Sequence, residues 1–192
     1  MKFLDTHFDD YIHSSSKISL HPHLKKTYEK FPNDINKLNN LLFYGPPGVG
    51  KYTQTLNAIK KYSQSELKYE KKLTVSYNKT NYYFKISDIH FEIDMSLLGC
   101  NAKMLWNDIY TNIIDIISSR TNKAGIVVCK NFHKIHGELL DTFYSYIQKN
   151  HNSVHLTYML ISENISFIPD NIINNFHIIS LPRPTKTNYN KI

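Results

Sequence analysis

The chain has 192 residues, one domain's worth, with 41% hydrophobic and 13% aromatic residues and a formal net charge of +7. That balance excludes a disordered polyelectrolyte and permits an ordinary buried core. The two cysteines, Cys100 and Cys129, are too few for a disulfide framework and fit a reducing compartment.

The positive charge is almost all lysine, since Arg120 and Arg183 are the two arginines. Lysine makes point-charge contacts to phosphate, so a nucleic-acid partner is allowed without being demanded. The N-terminal segment carries acids where a secretion signal needs an apolar run. No stretch reaches the roughly 18 apolar residues of a membrane span. The expected location is intracellular, with no membrane partner.

Residues 1–35 read as a leader with short helices, one running from His23 to Phe31 and stopped by Pro32. Residues 40–44 (NLLFY) form a short apolar run closed by GPPG, a buried strand and its turn. From Lys51 a helix follows, with Leu56, Ile59 and Tyr62 at helical spacing. Residues 71–87 give two strands around a turn at Asn78–Thr80, and residues 89–95 (IHFEIDM) give another strand. A long helix begins at Ala102, with Leu105, Ile109, Ile113 and Ile116 on one face. AGIVVC (124–129) is a strand of the all-apolar, buried parallel kind. Then come a helix over 136–150, a strand over 155–162, a helical turn near 170 and a last strand from His177. Strands alternating with helices predict an α/β fold with helices on both faces of a largely parallel sheet. The core is expected over 36–184, with residues 185–192 as a flexible tail.

The segment Gly45, Pro46, Pro47, Gly48, Val49, Gly50, Lys51 has the spacing of a phosphate-binding loop. Such a loop turns its backbone amides inward, and with the helix N-terminus they surround phosphates. Lys51 supplies the ammonium for the terminal phosphates. Three of the six glycines fall in these seven residues, between a strand and a helix, which argues against an ordinary Gly-Pro turn. The next residue is normally Ser or Thr, whose hydroxyl ligates Mg²⁺. Here it is Tyr52, whose hydroxyl lies too far out on a rigid ring. Thr53 is rotated about 100° around the helix and is expected to point elsewhere. Weakened or metal-independent phosphate binding follows.

P-loop hydrolases also place an acid at the end of a buried strand. After GIVVC stand Lys130 and Asn131, so a positive charge falls where a cation should sit. Glu92 and Asp94 are the rival acids. Their alternation with Phe91 and Ile93 predicts that both lie on a solvated strand face. The arginines that phosphoryl transfer recruits are scarce, and Arg120 is expected to end its helix and complement the dipole. Among ten histidines, the pairs His133/His136 and His151/His155 lack a Cys or acid partner at site spacing, so no metal site is expected. Tyr82 and Tyr83 could stack on bases, but a half-buried strand accounts for them better.

The order of these features resembles the AAA+ ATPases of the clamp-loader group, the small subunits of replication factor C and their viral relatives. NNLLFYGPPGVGK is similar to that family's phosphate-loop segment, and HFEIDMSLLG to its second core strand. The stretch from Asn131 to Glu163 resembles the run from the acidic motif to the sensor strand. The resemblance covers about Leu20 to Pro184 and implies ATP or ADP as ligand. It places Lys130 and Asn131 at a degenerate acidic motif. Ser162, Glu163 and Asn164 cover the sensor position, and Asn174 and Asn175 stand at a degenerate arginine-finger position. It implies other clamp-loader-like subunits, a sliding clamp or DNA as partners, with a helical lid and collar missing after Pro182. Degeneracy and an AT-rich residue bias would suit a large DNA virus, in cytoplasm, nucleus or viral factory.

The expected function is a clamp-loader-like subunit that binds ATP or ADP without hydrolysis, Mg²⁺ being doubtful. An active P-loop ATPase or nucleotide kinase is one alternative. A nucleic-acid-binding module that has lost its nucleotide is another.

Overall fold

The computed structural model describes residues 7–17, 19–149 and 154–186. Residues 1–6 of the leader, His151 and positions 187–192 of the expected tail lie outside the described residues. In chain order the elements are α1 (Phe8–Lys17), α2 (Leu24–Glu29), β1 (Asn40–Tyr44), α3 (Lys51–Lys60), β2 (Lys71–Tyr77), β3 (Thr80–Ile86) and β4 (His90–Asp94). There follow α4 (Ala102–Ser118), β5 (Ala124–Lys130), α5 (Gly137–Gln148), β6 (His155–Ser162), α6 (Asp170–Ile173) and β7 (Phe176–Ser180).

Among the described residues the strands form one sheet in the order β2-β3-β4-β5-β6-β1-β7. From β4 to β7 every neighbouring pair is parallel. The β2–β3 hairpin adds an antiparallel extension through β4. Its two-residue turn holds Asn78 and Lys79 at φ 48° and 63°, the paired positive φ that matches the twist of the strands.

The parallel strands are apolar because they are covered on both faces. One face packs α4 and α5 through Leu105, Trp106, Ile109, Ile113, Ile117 and Phe143. Ile117 is the buried residue at the end of the α4 stripe and Ile116 is only half-buried, one position from the expected face. The other face packs α3 through Leu56 and Ile59, together with Phe8 and Ile12 of α1 and Leu24 of α2. The leader helices thus share a core with β1 and α3. Arg120 does not serve the α4 dipole. Its guanidinium reaches across to donate to the carbonyls of Asp88 (2.8 Å) and Ser87 (3.5 Å) and lies 5.1 Å over the Phe91 ring.

The carboxyl ends of β1, β4, β5 and β6 lie on one edge of the sheet, where open α/β sheets carry their sites. At that edge Gly45 is wedged between two strand ends. Its N–H donates to Ser162 O (3.3 Å), and Leu181 N donates to Tyr44 O (2.7 Å). A Cβ on Gly45 would stand 2.2 Å from Leu181 O, whereas a Cβ on Gly137 would meet nothing within 4 Å. Gly45→Ala is therefore expected to cost at least about 2 kcal/mol in urea unfolding, and Gly137→Ala to cost little. Equal stabilities would disprove the close approach at Gly45.

Candidate functional site

The turn from β1 to α3 takes the shape that its glycines permit. Gly48 and Gly50 have φ of 76° and 83°, the left-handed region closed to most side chains. Gly50 caps α3, its carbonyl accepting from Gln54 N at 3.0 Å. The loop is pinned from the leader by His21, whose Nε2 lies 2.7 Å from Val49 O. Tyr28 adds a second tie, its hydroxyl donating to Gln54 Oε1 at 3.1 Å.

Lys51 is buried and turns back on the loop. Its Nζ donates to Gly45 O (2.8 Å) and Pro46 O (2.7 Å) and stands 3.9 Å from Glu163 Oε1. Burial pulls its pKa down, and the Glu163 carboxylate offsets part of that. Of the three sensor-region residues, Glu163 is the one brought to Lys51. Ser162 is buried and donates to Asn164 O, and Asn164 Oδ1 accepts from Ser166 N and Oγ (3.0 and 2.8 Å). His133 completes the group. Its Nδ1 accepts from Glu163 N (3.3 Å), and its Nε2 is 3.8 Å from Glu163 Oε2.

Beside the loop lies a second cluster. Lys130, at the end of β5, places its ammonium 4.2 Å from the centre of the Tyr52 ring and 3.7 Å from Glu92 Oε2. Glu92 is only 4% exposed. This corrects the solvated-face expectation for Glu92, while Asp94 at the strand end is half-buried. β4 is an inner strand with α1 and α3 over the face in question, so period-2 alternation there does not mark exposure. His90, on the same face, is fully buried, with Nε2 3.4 Å from Glu92 Oε1 and Nδ1 2.6 Å from Ser87 Oγ. Phe8 of α1 covers it at 4.7 Å between ring centres. Tyr11 of α1 meets Tyr52 edge-on at 4.9 Å. Burial alone would raise the Glu92 pKa, but the hydrogen bond and charge of His90, the Lys130 ammonium and the Tyr52 hydroxyl outweigh it and hold the carboxyl below its ordinary value. Burial, then the nearby Glu92 carboxylate, push the Tyr52 phenol far up, so it stays neutral.

Asp94 is half-buried at the mouth of the site. Both its oxygens accept from Asn131 Nδ2 at 3.0 Å, and Oδ1 also caps Ser96. Asn131 has φ 51°, a left-handed turn that Asn tolerates. Thr53, expected to turn away, borders the same opening as Lys51, Tyr52, Lys130 and Asn131. It also borders an adjoining cleft of about 280 Å³ between α1 and the loop, walled by Tyr11, Leu20, His21 and Val49. Pro46 and Pro47 form the outer rim of the loop. Asn174 and Asn175 sit at the opposite edge of the sheet, where Asn175 O accepts from Asn40 Nδ2 at 3.4 Å.

A magnesium ion needs oxygen ligands in near-octahedral geometry. The two positions that would supply them hold Tyr52 and Lys130, which touch each other across the place between them. The donor set does not fit the ion. Among the described residues no group of three or more His, Cys, Asp or Glu could hold any metal. No helix among them is long and apolar enough to cross a membrane.

No family model and no curated protein matches the chain. Solved structures do. PCH-2 of C. elegans aligns with a TM-score of 0.52 at 12% identity, covering 97% of this chain and 46% of that one. The Thermotoga maritima RuvB Holliday junction branch migration motor aligns at 0.48 and 17% identity, covering 92% and 47%. The chain thus spans about half the length of these structures. It shares a mostly parallel α/β fold with PCH-2.

The Glu92 cluster sets a pH signature. A carboxyl whose folded pKa is depressed stabilises the fold above its unfolded value and loses that contribution as pH falls through the folded value. Glu92→Gln is expected to lose about 1–3 kcal/mol at neutral pH. The gap should close as pH drops below the ordinary value of 4.5. Urea unfolding of both proteins from pH 7.5 to pH 4 checks this, and a constant gap would refute it.

Proposed function

We propose that the chain is a nucleotide-binding AAA+-type domain that does not hydrolyse its ligand and serves as a structural subunit of a DNA replication or repair assembly. The observation that carries the first half is the phosphate loop between β1 and α3, with positive-φ Gly48 and Gly50 and a buried lysine at its end. ATP or ADP would lay its phosphates along Gly48–Lys51, displacing Lys51 from the Gly45 and Pro46 carbonyls, with its base in the cleft beneath α1.

Failure to hydrolyse is supported by the residues around the loop. Hydrolysis needs a polarised water and a stabilised leaving charge. Lys130 and Asn131 offer no base, and Tyr52 offers no metal ligand. The clamp-loader role rests on the resemblance in sequence order and on the net charge of +7, which suits a DNA-bound complex. Partner subunits, a sliding clamp or the DNA itself would be the contacts, inside the cell. Asn174 and Asn175 would offer no arginine to a neighbouring subunit's nucleotide.

One observation favours a second reading. Glu92 and Asp94 both lie near the loop, so an active ATPase could have moved its acid from β5 to β4. Their partners speak against it. Glu92 is already paired with Lys130 and His90, and both Asp94 oxygens are taken by Asn131. Titration calorimetry is expected to show nucleotide binding that Lys51→Ala abolishes. Phosphate release should stay at the level of buffer for wild type and for Tyr52→Thr. Turnover lost in Lys51→Ala would instead establish the ATPase.

A further inference from the structure

We propose that the loop takes a nucleoside diphosphate without a metal ion, Lys130 standing in for the cation and Glu163 for the third phosphate. This rests on the reading above that the loop binds nucleotide, and it names which nucleotide and in what ionic form.

The cation half follows from placement. Lys130 Nζ is held 4.2 Å over the neutral Tyr52 ring and 3.7 Å from Glu92, and both residues border the loop opening. A ring face and a buried carboxylate fix an ammonium in place. The ammonium side chain remains 31% exposed, so it still faces the opening. Phosphate oxygens at the loop would then meet two lysines, Lys51 and Lys130. A divalent ion in the same place would have to enter against a resident positive charge and a phenol ring.

The anion half follows from Glu163. A P-loop lysine reaches toward the terminal phosphates. Here Lys51 Nζ has a carboxylate 3.9 Å away. The far oxygen of Glu163 lies 3.8 Å from His133 Nε2, and its backbone N–H donates to Nδ1 of the same ring. In a diphosphate complex Glu163 supplies the negative charge that a third phosphate would bring. In a triphosphate complex the added phosphate and Glu163 would repel across a few ångströms, with no metal to screen them.

Calorimetry on the full chain tests both halves, with ADP and ATP, each in EDTA and in Mg²⁺. ADP should bind in EDTA, with a Kd that Mg²⁺ changes less than about threefold. ATP should bind at least about tenfold more weakly. Glu163→Gln should narrow that gap, chiefly by tightening ATP. Lys130→Met should weaken ADP about tenfold, and Lys130→Arg should retain binding, with circular dichroism confirming that each variant is folded. Tightening of either nucleotide by Mg²⁺ of tenfold or more, or ATP binding as well as ADP, would overturn the inference and leave nucleotide binding standing. Absence of binding by both nucleotides at high protein concentration would overturn the underlying reading and this inference with it.

Discussion

The buried carboxylate of Glu92 is the constraint on which the site depends. An isolated charge in that position would cost several kcal/mol, and proteins retain one only when it is paired and hydrogen-bonded. Here the pairing comes from three directions. His90 approaches along the same strand, Lys130 from the next strand, and Tyr52 from the helix above. Two of those partners are then fixed in turn: His90 by Ser87 and Phe8, Tyr52 by Tyr11. Strand β4, strand β5, helix α3 and the leader helix α1 are tied through one carboxyl group. The phosphate loop is the segment that leads into α3, so its position depends on the same group.

That arrangement holds the loop in place with Tyr52 and Lys130 in contact beside it. In a hydrolase the ion joins the start of the helix to the end of the neighbouring strand. Here a lysine ammonium between a ring and a carboxylate makes the same connection. The organic cluster is permanent, whereas an ion comes and goes with its nucleotide. Lys51 is also provided for when nothing is bound, since two loop carbonyls accept from it. Those bonds tie the end of the loop back to its start.

Much of the fold was legible in the sequence because the signals were local. NLLFY and AGIVVC are short apolar runs bounded by turns, and each is an inner strand. The loop between Gly45 and Lys51 was readable because its glycines answer a backbone demand, visible in the φ of Gly48 and Gly50. What failed was the inference from alternation to exposure in HFEID. Period 2 reports which residues share a face and is silent on what covers that face. The cover comes from α1, more than seventy residues earlier, through Phe8 and Tyr11. The partnership of Glu163 with His133 and Lys51 was hidden for the same reason, since it joins the ends of three different strands. One signal was available: His90 and Glu92 lie two apart on a strand next to the apolar AGIVVC, where a solvated face is improbable.

The direction of the charges gives the last step. A phosphate site normally sets fixed positive groups against a mobile anion and a mobile cation. On the inference above, both mobile charges have a fixed counterpart at the strand ends, Lys130 on β5 and Glu163 just past β6. Lys130 lies 3.7 Å from Glu92 Oε2, and Glu163 lies 3.9 Å from Lys51 and 3.8 Å from His133. Such a site would have little to gain from charge rearrangement during a reaction, because each charged group already has a neighbour of opposite sign. On the reading proposed above, it would hold one ionic form and remain unchanged while it does so, which suits a structural subunit.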